Sequence, residues 1–172
     1  MRIIKVINYQ HSWMNDFELE KKLITDAIPE EILFIHHIGS TSVAGLAAKP
    51  IIDILIEIKN VVDIDKYNSQ FEKIGYECKG EFGIPGRRYF QKGGDNRTHH
   101  IHAFNSGSQG AKRHLAFRDY LIAHKQVAKE YEALKFQALK ECNNDSSIYC
   151  NIKNNFIVYH EKQALKWWNR NA

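Results

Sequence analysis

Ile51-Ile52-Asp53-Ile54-Leu55-Ile56-Glu57-Ile58 is the stretch on which the fold turns. Such a run of branched apolar residues reads as a strand. Side chains alternate along a strand, so Ile52, Ile54, Ile56 and Ile58 share one face while Asp53, Leu55 and Glu57 share the other. The isoleucine face must be core. A carboxylate at Asp53 is costly to bury unless a partner or a cation compensates it. Asp53 is therefore read in two ways: as a metal-binding or general-base carboxylate, or as a strand-end residue capping a neighbouring loop.

Upstream of this strand stands a loop of small residues from Gly39 to Pro50, preceded by an apolar run, Ile32-Leu33-Phe34-Ile35, that predicts a buried strand leading into His36-His37-Ile38. Apolar positions from Trp13 to Ile28 recur at helical spacing, and Pro29 is read as the stop, because proline disfavours helical geometry in the residue before it. Downstream, Asp63 to Ile74 predicts a helix ended by Gly75. Short strands are expected at 76–79, 87–92 and 98–104, separated by glycine- and proline-bearing turns. Helices follow over 109–141, with a break near His124, and over 147–168. Strands in the first two thirds and helices in the last third predict an α+β architecture.

The chain has 172 residues, 44% of them hydrophobic and 26% charged, and carries a net charge of +4. This fits one globular domain over 1–172, large enough to bury a core without disulfides or a structural metal. Three cysteines without Cys-x-x-Cys spacing argue against a disulfide framework and a thiolate zinc site. The first residues are interrupted too early by Lys5 to read as a secretory signal, and no stretch approaches the ~20 apolar residues of a membrane span. The expected compartment is the cytoplasm, with no membrane association. The basic residues are scattered, so a nucleic-acid polymer is not the expected partner. The sequence names no protein partner.

Several residues beside Asp53 are able to do chemistry. Gly39-Ser40-Thr41-Ser42 follows a predicted strand, where glycine permits close approach and hydroxyls with free amides hold phosphate oxygens; a helix starting at Thr41 or Ser42 would add a favourable dipole. One of Arg87 and Arg88 should point to the Asp53 face and grip phosphate in a bidentate manner. Lys49 stands at the mouth of the loop. His100 and His102 share a strand face, and with Asp53 and His37 they form a candidate ligand set for one divalent cation, magnesium, manganese or zinc, with the histidines favouring a transition metal.

The segment from His37 to Ile54, with Ile84–Phe90, Thr98–Phe104 and His114–Tyr120, resembles the GrpB family over nearly the whole chain. Ala44 stands where that family commonly carries proline. The resemblance implies a mixed β-sheet of nucleotidyltransferase-like topology flanked by helices, related to the polymerase-β superfamily, with similar domains fused in some bacteria to dephospho-coenzyme A kinase. In that superfamily a Gly-Ser pair holds nucleotide phosphates, and carboxylates spaced Asp-x-Asp bind magnesium. Gly39 and Ser40 match the first element and Asp53 the first carboxylate. Leu55 occupies the second carboxylate position and cannot ligate a metal. Glu57 lies a further ~6–7 Å along the strand, too far to replace it where two metals must stand about 3.5–4 Å apart.

Three readings of function follow. In the first, the protein is a nucleotidyltransferase-type transferase that binds a nucleotide or another phosphate-bearing small molecule and transfers a nucleotidyl or phosphoryl group with a cation. In the second it is an accessory binding module with a degenerate site. In the third it is a transition-metal hydrolase built on His100 and His102.

Overall fold

The computed structural model describes residues 1–28 and 30–171 and places Ile52–Ile58 at the heart of a five-stranded mixed sheet. Helix α1 (Ser12–Ala27) leads to β1 (Ile32–Ile38), then a 3-10 turn at Ser40–Ser42 and β2 (Ile52–Ile58). A 3-10 segment at Val61–Tyr67 continues into α2 (Asn68–Lys73), followed by β3 (Tyr76–Cys78), β4 (Arg88–Lys92) and β5 (His99–Asn105). Helices α3 (Gln109–Ala123), α4 (Lys125–Glu141) and α5 (Ser146–Asn171) complete the chain. Pro29, expected to stop α1, lies outside the described residues.

The sheet order is β1-β2-β5-β4-β3. β2 and β5 run parallel, with Asp53 beside His100 and Leu55 beside His102. The other neighbouring pairs are antiparallel. The isoleucine face of β2 is buried as its alternation requires, packed with Ile101, Ala103 and Phe90 under Trp13, Phe17 and Ile24 of α1 and Phe71 of α2. On the opposite face Leu55 joins Ile38, Phe104 and Ala111 beneath α3. Both faces of this sheet are thus covered by helices.

Two local expectations are corrected. The run 32–35 is not a buried strand: Leu33 and Phe34 are 52% and 56% exposed. β1 is the sheet edge, paired through β2 alone and irregular between Ile32 and Phe34, so its outer side chains meet solvent. The segment 63–74 is not one α-helix. Its first half is 3-10, entered through Asn60, whose side chain accepts from the Val62 amide at 3.3 Å, and crowded by the branched Val61, Val62 and Ile64, which weaken α-helical preference.

The break between α3 and α4 falls at His124, as expected. The turn between α4 and α5 uses Asn143 and Asn144 at φ 49° and 61°, a conformation asparagine tolerates better than most residues. Asp145 then caps α5 through the amides of Ser147 and Ile148 at 2.8 and 3.1 Å, satisfying donors that a helix start leaves unpaired. Among the described residues, no helix is long and apolar enough to cross a membrane.

Candidate functional site

Asp53 is the second residue of β2 and sits against the turn that closes β1. Gly39 opens that turn at φ 71° and ψ −175°, a conformation essentially restricted to glycine. A Cβ there would stand 2.7 Å from Asp53 Oδ2. The expected dipole at Thr41 or Ser42 is not formed: the helix is a three-residue 3-10 turn, and the Ser42 and Val43 amides are spent on the carbonyls of Gly39 and Ser40. Thr41 is buried, its hydroxyl engaged with His37 Nε2 at 2.9 Å and with the Ile51 carbonyl at 3.5 Å.

Beside this turn lies a cavity of about 190 Å³ whose wall includes Gly39, Ser40, Thr41, Lys49, Asp53 and His100. Its far side comes from the C-terminal helices, with Tyr131 and Lys135 on α4 and Tyr149 and Lys153 on α5. Each helix presents a tyrosine and a lysine four residues apart, the spacing that puts two side chains on one helical face. The repeated Tyr-x-x-x-Lys was the available sequence signal for these residues, and the sequence reading did not single it out.

The ammonium groups pack on the aromatic faces. Lys135 Nζ lies 4.3 Å from the Tyr131 ring centre, Lys153 4.4 Å from that of Tyr149, and Lys49 5.0 Å from the same ring. Such contacts offset part of the cost of removing a cation from water. Lys135, only 2% exposed, also donates to Ser40 Oγ and, at 2.9 Å, to the Ala47 carbonyl. Among the described residues, none of the three lysines forms an ion pair. Burial and the neighbouring Lys153 hold Lys135 well below the ordinary lysine range. Burial and Lys49 bring Lys153 down to about 8. Burial also lowers Lys49.

Opposite the lysines, Asp53, His100 and His102 bring their polar atoms within 4.8 Å of one another, a grouping that could hold a metal ion. His102 Nε2 is 3.2 Å and His100 Nδ1 3.4 Å from Asp53 Oδ1. Burial alone pushes the Asp53 carboxyl up, but hydrogen bonds and charge from His100 and His102 outweigh it and hold Asp53 well below the usual carboxylate range. Burial lowers His100 despite the adjacent carboxylate. The outer ring nitrogens meet guanidinium groups: Arg97 Nη1 lies 3.2 Å from His100 Nε2, and Arg87 Nη1 3.5 Å from His102 Nδ1. Arg97 was another residue the sequence reading missed, since it stands in a turn with no pattern to single it out.

The structure separates several of the expected site residues. His37 pairs in register with Ile54 rather than Asp53, so alternation sends its ring to the other face, where it stacks on Phe17 at 4.8 Å and is not part of the Asp53 grouping. Burial drives His37 down to about 4. Arg88 points to the same far side of the sheet and makes a two-pronged pair with Asp65 at 2.8 and 3.2 Å, which turns it away from the Asp53 face. Arg87 is on the Asp53 side but buried, with Nε and Nη2 committed to the carbonyls of Glu81 and Phe82; it reaches the centre through His102. Glu57 bonds to His36 at 2.7 Å and to Ser106 and the Gly107 amide, which makes it a structural anchor rather than a second ligand.

Comparisons with known proteins bear on this geometry. Residues 3–163 match the family described as GrpB protein. The UPF0157 protein YqkA of Bacillus subtilis is 44% identical over 166 residues, covering 96% of this chain and 48% of its own length, so the chain spans about half of that relative. The crystal structure of conserved protein GrpB from Enterococcus faecalis superposes with a TM-score of 0.91 at 42% identity, over 95% of this chain and 99% of that one. Terminal uridylyl transferase 4 from Trypanosoma brucei, solved with bound CTP, gives a TM-score of 0.50 at 16% identity, over 91% of this chain and 51% of that one. This last likeness is one of fold.

Proposed function

The chain belongs to the GrpB family and shares the nucleotidyltransferase fold, and from that premise we propose that its cavity binds a nucleotide or another phosphate-bearing small molecule by its phosphates. One observation carries the reading. Lys135 and Lys153, both buried, and the half-buried Lys49 converge on a single cavity, and among the described residues none has a carboxylate partner. Unpaired buried charges are costly, and their mutual repulsion adds to the cost. A polyanion removes both penalties at once, and Ser40 Oγ, tied to Lys135, adds a hydroxyl donor beside it. The fold neighbour solved with bound CTP supports a nucleotide as one member of this ligand class.

In this arrangement Asp53 stands beside the bound phosphates, the position from which a nucleotidyl or phosphoryl transfer would be directed. A second reading, binding without transfer, is favoured by Leu55. The second carboxylate of the fold's usual pair is replaced by a side chain with no exposed surface, locked against Ile38, Phe104 and Ala111.

Calorimetric titration of the protein with ATP, CTP and inorganic phosphate tests the proposal, alongside Lys135→Met and Lys153→Met variants. Binding weakened about 10- to 100-fold in each variant is expected, the loss of one charge-assisted hydrogen bond. Equal binding by wild type and variants, or none by wild type, overturns it. Release of pyrophosphate or phosphate from the bound nucleotide decides between transfer and binding alone.

A further inference from the structure

The polarity of the hydrogen bonds around Asp53 carries a conclusion that the identity of the ligand atoms does not. A guanidinium group only donates. Arg97 Nη1 at 3.2 Å from His100 Nε2 therefore requires a lone pair on that nitrogen, which puts the ring proton on Nδ1, the atom 3.4 Å from Asp53 Oδ1. Arg87 Nη1 at 3.5 Å from His102 Nδ1 places the proton of that ring on Nε2, 3.2 Å from the same oxygen. The two imidazoles are thus opposite tautomers, each with its proton on the nitrogen nearer Asp53: His102 donates to Oδ1 at 3.2 Å, and His100 Nδ1 stands 3.4 Å from the same oxygen. We infer that Asp53, His100 and His102 form a metal-free hydrogen-bonding centre, and that Arg87 and Arg97 are positioning residues that exclude cations from it.

The donor set, three side chains within 4.8 Å, has the composition of a transition-metal site, yet the surroundings do not fit a metal. A metal-bound imidazole offers its lone pair to the ion and carries its proton on the far nitrogen, which normally donates to a carboxylate or carbonyl. Here the far nitrogens would carry N–H groups aimed at two arginines. Arg87 cannot turn away, because Nε and Nη2 hold the Glu81 and Phe82 carbonyls at 3.2 and 2.8 Å and its plane lies 4.8 Å from the Tyr89 ring centre. Nearby charge acts in the same direction, since Arg97 stands against His100 and three lysines line the same cavity as the one carboxylate, Asp53. A field of that sign favours anions over divalent cations. This conclusion concerns the same cavity as the proposed phosphate site but does not depend on it, because metal affinity and tautomer are read without any phosphate present.

Two measurements on the tag-free full chain test it. Long-range proton–nitrogen NMR is expected to show His100 protonated on Nδ1 and His102 on Nε2; a proton on His100 Nε2 overturns the assignment. Calorimetry with zinc and manganese salts is expected to show no binding that depends on His100 in the wild type. Arg97→Gln supplies a carbonyl that accepts from His100 Nε2, and is expected to create zinc binding where the wild type shows none, with the gain abolished by adding His100→Ala. Tight zinc binding by the wild type that is lost in His100→Ala overturns the inference, and so does an Arg97→Gln variant that folds and gains nothing. Arg97 stands in an open turn rather than the core, which makes it the safer of the two arginines to replace.

Discussion

Gly39 and Asp53 touch in a way that leaves no room for any other residue at position 39: a Cβ would meet Oδ2 at 2.7 Å. The backbone there is also in a region that only glycine enters freely, at φ 71° and ψ −175°. Gly39→Ala is expected to cost roughly 1–3 kcal/mol from the backbone alone. It will also push Asp53 off its histidines. Thermal melts give the first effect, and loss of the His100 and His102 N–H signals, broadened by faster exchange, gives the second.

Leu55→Asp would restore the Asp-x-Asp spacing in sequence but not a second ligand. Leu55 is fully enclosed by Ile38, Phe104 and Ala111 beneath α3. An unpaired carboxylate there is expected to cost roughly 3–5 kcal/mol. Denaturant unfolding measures it; a stable variant that binds magnesium would show that the pocket can open at this point.

Asp53→Asn removes the charge of a carboxylate that accepts from His102 at 3.2 Å and lies 3.4 Å from His100 Nδ1. The expected cost at neutral pH is about 1.5–3 kcal/mol, the worth of hydrogen bonds to a charged group. The folded carboxyl is held below its unfolded range, so its contribution is present above the ordinary aspartate pKa of about 4 and disappears as the pH falls through the depressed folded value. Wild type and variant should therefore converge in stability toward strong acid, as parallel urea titrations at several pH values will show.

Lys153 supplies the alkaline counterpart. Its folded pKa of about 8 lies below its ordinary value of 10.5, so the unfolded chain binds the extra proton between those values and the ligand-free protein gains stability as the pH rises across that window. Phosphate binding should move the opposite way, weakening once the free protein's Lys153 loses its charge. Lys153→Met is expected to flatten both trends, checked by melts with and without phosphate from pH 7 to 10.

Alternation explains what sequence alone could reach. One rule, applied to 51–58, identified the buried isoleucine face and put Asp53 opposite it, and the same rule on 98–104 placed His100 and His102 on a common face, which the β2–β5 register then set beside Asp53. It could not fix register between strands. That is why His37 was assigned to the wrong side, and why the choice between Arg87 and Arg88 stayed open until Tyr89 was seen to pair with His102 and Arg88 with Ala103. The cationic wall was harder still. Lys135 and Ser40 are 95 positions apart in the chain, and only the way the helices dock over the Gly39 turn brings them together.

That long-range tie has a consequence for the birth of the protein. Domains emerge from the ribosome amino end first, so the sheet, Asp53 and both histidines are available while α4 and α5 are still being made. A nascent chain at that stage holds the acceptor half of the cavity and none of the lysines that α4 and α5 carry. The lysine wall of the proposed phosphate site is therefore assembled only after Lys153 has been translated and α5 has docked over the Gly39 turn.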